Sequence, residues 1–251
     1  MYSKKYFIAN WKMNGLTKDI LELKKVEKFL NNNKKYGNLH CIYCLPYTLL
    51  GFVYKKINFR KIDLGAQDIS LKHSDFGAFT GCISSKMVKD LMVNYTIIGH
   101  SEIRSNGESN NDISVKINLA SSKGLKIILC VGDSLKEYKD EQSLNIVKEQ
   151  LNSVLKKNKK ILKNIIIAYE PIWSIGTGII PNYDFLNNFF FQIKKYLKIN
   201  HKTNVSVIYG GSVSSKNISE LKKIDLCDGF LIGGASLKSN NFVDIIKNYY
   251  N

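Results

Sequence analysis

The sequence predicts a parallel α/β fold closed into a (β/α)8 barrel, on three observations. Eight short β-like runs follow one another along 251 residues. Most are continuously apolar, as strands buried on both faces of a parallel sheet are. Amphipathic stretches with helical spacing lie between them, and polar and glycine motifs stand just after several of the runs.

The runs are residues 6–9, 40–44, 62–65, 95–98, 126–131, 164–169, 205–209 and 229–232. Residues 16–30 carry Ile20, Leu23, Val26, Phe29 and Leu30 on one stripe, and 144–155 carry Leu144, Val147, Leu151, Val154 and Leu155. Residues 181–197 open on a proline, as a helix can; 236–250 form the last helical stretch. Residues 86–91 give only a weak helical pattern. A doubly wound open sheet is the rival architecture, but no G-x-G-x-x-G follows the first strand. With three prolines and no Ser/Gly-rich stretch there is no obvious linker, so residues 1–251 read as one domain. A chain this long buries a core without disulfides.

Five cysteines, Cys41, Cys44, Cys82, Cys130 and Cys227, are an odd number, and four of them sit in apolar runs. Cys41 and Cys44 have C-x-x-C spacing, which a buried strand explains as well as a redox or zinc site does, and no second Cys/His cluster supplies more ligands. No metal is expected. Reduced thiols point to the cytoplasm. Residues 1–5 are short and polar, so no secretory signal is expected. No apolar run approaches ~20 residues, so no membrane span is expected either.

The net charge of +16 invites a nucleic-acid reading. The composition argues against it: arginine occurs only at Arg60 and Arg104, and lysine supplies the rest. Nucleotide readers deploy arginine and stacked aromatics. Runs such as residues 31–35 and 156–160 fall at helix ends and read as solvated faces. The surplus charge still helps to draw in an anionic substrate.

Residues 168–178, Ala-Tyr-Glu-Pro-Ile-Trp-Ser-Ile-Gly-Thr-Gly, carry most of the chemistry. An apolar run ends on a carboxylate, Glu170, followed by a stiff Pro-Ile-Trp hinge and a loop with two glycines. That is a base on a strand tip beside a lid. Desolvation under a closed lid would raise its proton affinity. Asn10 and Lys12 follow the first run, and the lysine is a cation for an anionic ligand. His100, after the fourth run, has Ser101 and Glu102 beside it to cap a helical turn. A neutral imidazole there donates a hydrogen bond to a carbonyl oxygen. Gly210-Gly211-Ser212 and Gly233-Gly234 follow the last two runs, where a barrel binds phosphate through backbone N–H groups. Read singly, Lys12 could be an ordinary strand-edge lysine, His100 a structural histidine and the glycine pairs plain turns. Their shared placement after strands is what joins them.

Taken with Gly65-Ala66-Gln67-Asp68, Gly77-Ala78-Phe79-Thr80-Gly81, Cys130-Val131-Gly132 and residues 233–237, these motifs resemble the triosephosphate isomerase family along essentially the whole chain. The resemblance implies a TIM barrel that interconverts dihydroxyacetone phosphate and D-glyceraldehyde 3-phosphate through an enediolate, in glycolysis and gluconeogenesis, without cofactor or metal. It implies Glu170 as base, His100 as neutral electrophile, and Lys12 as electrostatic stabiliser supported by Asn10 and oriented with His100 by Glu102. Gly176, Ser212, Gly233 and Gly234 would hold the phosphate. It also implies a homodimer in which the loop around Thr80 reaches the partner's Asn10 and Glu102. The runner-up readings are another sugar-phosphate barrel and a basic binding protein without catalysis.

The chain departs from the family pattern in places. Cys82 stands where glutamate is usual and Ile103 where arginine is usual, two residues that form an ion pair across the family's interface. Because both are absent together, an apolar Cys82–Ile103 contact between subunits is expected. Asp133 stands where glutamate is usual. The far lid hinge, Ile179-Ile180-Pro181, carries β-branched residues that resist φ/ψ change.

Overall fold

The structure is a computed structural model describing residues 4–56, 59–156, 162 and 164–251. The lysine run from 157 to 160 and the first three residues lie outside the described residues. Eight parallel strands close into a barrel in sequence order. They are β1 Lys5–Asn10, β2 Leu39–Leu45, β3 Ile62–Ala66, β4 Tyr95–Ile98, β5 Lys126–Val131, β6 Ile165–Tyr169, β7 Ser206–Tyr209 and β8 Gly229–Ile232. β1 pairs with both β2 and β8, which closes the ring. The predicted runs at 164 and 205 overshoot β6 and β7 by one residue each.

The helices around the strands are α1 Ile20–Asn32, α2 Tyr47–Lys56, α3 Ser85–Asp90, α4 Ser101–Ser105, α5 Asn110–Ser122, α6 Leu135–Lys139, α7 Ser143–Leu155, α8 Tyr183–Asn200, α9 Ile218–Leu221 and α10 Ser239–Tyr250. Three predicted starts move inward for local reasons. Before α1 the chain makes a separate 3-10 turn, Thr17–Asp19. At α8 it is Asn182, not Pro181, that caps the helix, its side-chain oxygen accepting from the N–H groups of Asp184 and Phe185. Before α10 residues 234–236 form a 3-10 turn. The weak pattern at 86–91 is helix α3, stabilised by Ser84, whose hydroxyl accepts from Met87 N–H at 3.2 Å.

Strand alternation divides the buried residues between two cores. Ile8, Ile42, Cys44, Tyr95, Ile97, Ile128, Cys130, Ile166, Ala168, Ile208 and Leu231 fill the barrel interior. Their neighbours, such as Phe7, Ala9, Ile127, Leu129, Ile167 and Tyr169, pack outward against the helices. This is why the runs look uniformly apolar. It also separates the C-x-x-C pair: Cys41 belongs to the outer core and Cys44 to the inner one. Three residues apart on a strand, the two thiols face opposite sides and cannot share a metal or a disulfide. Among the described residues no helix is long and apolar enough to cross a membrane.

Candidate active site

The inward register that places Ile8, Cys130, Ala168 and Ile208 inside the barrel continues, two residues on, to Asn10, Gly132, Glu170 and Gly210. Those four form the barrel's upper lip, and two glycines there make room for Glu170. A Cβ on residue 210 would come within 2.9 Å of the Glu170 Cγ, and one on residue 132 within 1.8 Å of its carbonyl oxygen. Larger residues at either position would displace the carboxylate.

Lys12 sits in the left-handed region, φ 54°, which costs a non-glycine residue about 1–3 kcal/mol. Its peptide is held on both sides. The Asn10 side-chain oxygen accepts from Lys12 N–H at 3.0 Å, and the Gln67 amide donates to Lys12 C=O at 2.9 Å and to Cys44 C=O at 3.2 Å. The ammonium then reaches Glu102 Oε1 at 2.7 Å. The other carboxylate oxygen of Glu102 lies 3.6 Å from His100 Nδ1.

His100 caps α4 itself: its Nδ1 accepts from Glu102 N–H at 3.2 Å. The expectation that Ser101 or Glu102 makes the cap is corrected here; the imidazole is the cap. An Nδ1 that accepts carries no proton in the neutral ring, so the proton sits on Nε2. Nε2 lies 3.2 Å from Glu170 Oε1, while Glu170 Oε2 accepts from Ser101 N–H at 3.1 Å. Both residues are buried, 5% and 2% exposed. Beneath them, Gly99 turns at φ 72° and Arg104 ties the ends of β4 and β5, donating to Gly99 C=O at 2.8 Å and Cys130 C=O at 3.1 Å. Burial lowers the Arg104 guanidinium's pKa from its usual value. Burial and the neighbouring Glu170 push the Cys130 thiol well above the usual thiol range.

Beyond Glu170 the chain forms a short 3-10 turn, Ile172–Ser174, and then an exposed loop through residues 176–179. The turn is anchored where Ile172 N–H donates to Asp133 C=O at 3.0 Å and where Trp173 packs on Tyr138 with ring centroids 4.5 Å apart. Asp133 is itself fully buried, bonded by Tyr169 and Ser143 hydroxyls at 2.7 Å each, and burial raises its pKa above the usual carboxylate value.

Asn10, Lys12, His100, Glu170, Gly176, Ser212, Gly233 and Gly234 all line one cleft of about 400 Å³ at the carboxyl ends of the strands. Glu102 stands at its edge, touching Lys12 and His100. Thr80, Cys82 and Ile103 lie outside it; Thr80 and Cys82 are exposed and Ile103 half-buried. Sequence reasoning assigned no role to Gln67, Arg104, Ser174 or Tyr209. It also missed Lys116, which is buried and paired with Asp68 at 2.6 Å and with Glu108. A signal for Lys116 existed: it lies on the same helical stripe as the buried Ile113, Ile117 and Ala120.

A closed parallel barrel with a carboxylate, an imidazole and a lysine gathered at its mouth beside glycine-rich strand ends belongs to the sugar-phosphate enzymes of the (β/α)8 class. The triosephosphate isomerase family model matches residues 5–249, and the chain belongs to that family. A triosephosphate isomerase of Buchnera aphidicola subsp. Schizaphis graminum is 42% identical, the match covering 97% of each chain. One from Cytophaga hutchinsonii is 36% identical, over 98% of this chain and 99% of its own. That of Saccharomyces cerevisiae is 37% identical over 98% of each. The chain is an isomerase of triose phosphates, interconverting dihydroxyacetone phosphate and D-glyceraldehyde 3-phosphate in glycolysis.

Proposed function

We propose that Glu170 is the base of this isomerisation and His100 its electrophile. The observation that carries the reading is the pair itself: Glu170 Oε1 lies 3.2 Å from an imidazole nitrogen whose tautomer is set by Glu102 N–H. Glu170 leaves Ser101 and His100 when substrate enters, and takes the proton from C1 of the ketone. His100 Nε2–H bonds the carbonyl oxygen as charge builds there, and protons then pass between the two enediolate oxygens through the same ring. Glu170 returns its proton to C2, giving the aldehyde. No charge is left on either group at the end, so the site is reset without a further reagent.

Lys12 lies where a cation offsets the developing enediolate and the phosphate together, with Asn10 and Glu102 fixing its direction. Backbone N–H groups of Gly176, Ser212, Gly233 and Gly234 hold the phosphate. Closure of the loop after Trp173 excludes water, a device for which this enzyme family is itself a standard example. The bulky far hinge, residues 179–181, slows that movement. Glu170→Ala tests the assignment: isomerisation falls by about 10²–10⁴-fold or more while phosphate binding is kept. Unchanged turnover in that variant removes Glu170 from the role.

Residues 1–251 act as one domain, and two copies pair through the segment around Thr80. Support comes from apolar side chains there that a lone chain leaves in water: Phe76 is 71% exposed, with Phe79, Cys82 and Met87 beside it, and Met13 beyond Lys12 is 97% exposed. Cys82 and Ile103 meet across that contact in place of an ion pair. Cysteines kept as free thiols fit a cytoplasmic enzyme, and the scarcity of arginine speaks against nucleic acid as a partner.

A further inference from the structure

Ser174, at the neck of the lid, is fully buried, and its hydroxyl is bonded in three directions. It lies 2.6 Å from Ile179 C=O, 3.0 Å from the Tyr209 hydroxyl and 3.2 Å from Ser212 N–H. A hydroxyl has one proton and two lone pairs. The carbonyl of Ile179 can only accept, so Ser174 donates there; Ser212 N–H and Tyr209 O–H then supply the two bonds that Ser174 accepts. The group has no bonding capacity left over.

Two consequences follow from where these partners sit. Ser174 and Ile179 are the two ends of the lid, so their bond cinches the neck. Between them the Thr177 hydroxyl shares its one proton between Trp173 C=O at 3.2 Å and Ser174 C=O at 3.1 Å and accepts from Ile179 N–H at 3.2 Å, which ties the loop together internally. The other two partners come from the β7 end, and one of them, Ser212 N–H, is a donor assigned above to phosphate. The space is fully committed: a Cβ on Gly211 would come within 2.2 Å of the Tyr209 hydroxyl and 2.7 Å of Ser174 Oγ.

We infer that Ser174 is a positioning residue that couples phosphate occupancy to release of the lid, because phosphate and Ser174 compete for the same N–H of Ser212. When phosphate takes that donor, Ser174 loses one of the two bonds that fasten it to the β7 end, while its bond to Ile179 keeps the lid in one piece. Phosphate thereby loosens the lid from its unliganded seat without unravelling it. The inference rests on the assignment of Ser212 to the phosphate.

The probe is inorganic phosphate, measured as a competitive inhibitor of isomerisation in the full-length enzyme. Ser174→Ala frees Ser212 N–H, so phosphate inhibits about 2- to 10-fold more strongly, the worth of one exchanged hydrogen bond. At the same time kcat falls, because the neck bond is gone. General loss of structure would weaken both. Tyr209→Phe leaves the Ser212–Ser174 bond in place, so it lowers kcat without tightening phosphate. Phosphate inhibition in Ser174→Ala that is equal to or weaker than wild type overturns the coupling. The wild type offers an independent check even if the alanine variant does not fold. Saturating phosphate must move the amide resonances of both Ser174 and Ile179, and constancy of both overturns the inference. If phosphate does not compete with substrate in the wild type at all, the assignment of Ser212 falls first and the coupling with it.

Discussion

Gly132→Ala moves the proposed base without altering any polar group. The added methyl carbon lies 1.8 Å from the carbonyl oxygen of Glu170 and 2.8 Å from its carbonyl carbon. Ordinary contact begins near 3.4 Å, so the ends of β5 and β6 must separate by about 1.6 Å in a close-packed lip. Neither side yields freely. Gly132 is clamped by the Gln150 amide through both its N–H and its C=O, each at 2.9 Å. Glu170 N–H is bonded to Val131 C=O at 2.8 Å, and Ile172 N–H to Asp133 C=O at 3.0 Å. One response breaks those last two bonds, at a cost of about 1–3 kcal/mol together. The other keeps them and tilts the strand end. Both carry the carboxylate away from its 3.2 Å approach to His100, and a misplacement of about 1 Å costs roughly 10²-fold in rate. A coupled isomerase assay reads the rate and thermal unfolding reads the fold. Gly51→Ala in α2 is the matched control. Its Cβ meets nothing within 4 Å, so it leaves the rate alone and adds about 0.5–1 kcal/mol of stability. A Gly132→Ala enzyme that melts like wild type and turns over within about threefold of it would show that Glu170 needs no such exact seat, against what effective-molarity arguments require.

Lys116→Met leaves the largely buried Glu108 and the partly buried Asp68 without their cation and destabilises the fold by about 3 kcal/mol. Burial already raises the pKa of both carboxyls, and Lys116 opposes that. With raised pKa values the folded state holds their protons more tightly, so stability falls as pH rises through the raised values. Urea titrations must therefore show the variant losing more at pH 8 than at pH 5; a loss independent of pH refutes the charge argument. Glu22 behaves in the opposite sense. Its carboxylate accepts from Lys25 and from Ser239 N–H at the start of α10, which holds its pKa down at about 2 against a usual 4.5. Its contribution is present above pH 4.5 and fades as pH falls towards 2. Glu22→Gln costs about 1 kcal/mol at pH 7 once solvent screening is allowed for, and the gap to wild type narrows below pH 4.5. A gap that widens in acid is incompatible with this. Cys82→Glu puts a carboxylate opposite Ile103 and weakens the dimer by about tenfold or more. Adding Ile103→Arg restores association, and sedimentation showing no change in the single variant sinks the proposed contact.

What the sequence disclosed and what it hid separate along a physical line. Strand positions were legible because a barrel strand buried on both faces has no polar alternative, and the run 126–131 coincides with β5. The chemical groups were legible because this fold places them at one geometric landmark, the residues just past each strand. Helix ends were less so. At residue 181 the proline pointed to a start, but the start belongs to Asn182, whose amide has two N–H groups within reach. Partnerships across the fold were the least legible. Gln67 stood in a recognisable motif, yet nothing local to it says that its amide holds the strained Lys12 peptide 55 residues away. The ring cap of His100 was missed for a related reason: serine is the commoner capping residue, and nothing local in the sequence shows that the chain, after turning at Gly99, sets the imidazole nitrogen on Glu102 N–H. The cap also determines which nitrogen of His100 carries the proton. The proposed chemistry therefore depends on the groups that orient the conspicuous residues as well as on those residues, and alanine at Gly132, Gly99 or Ser174 lowers turnover while leaving Glu170, His100 and Lys12 in the chain.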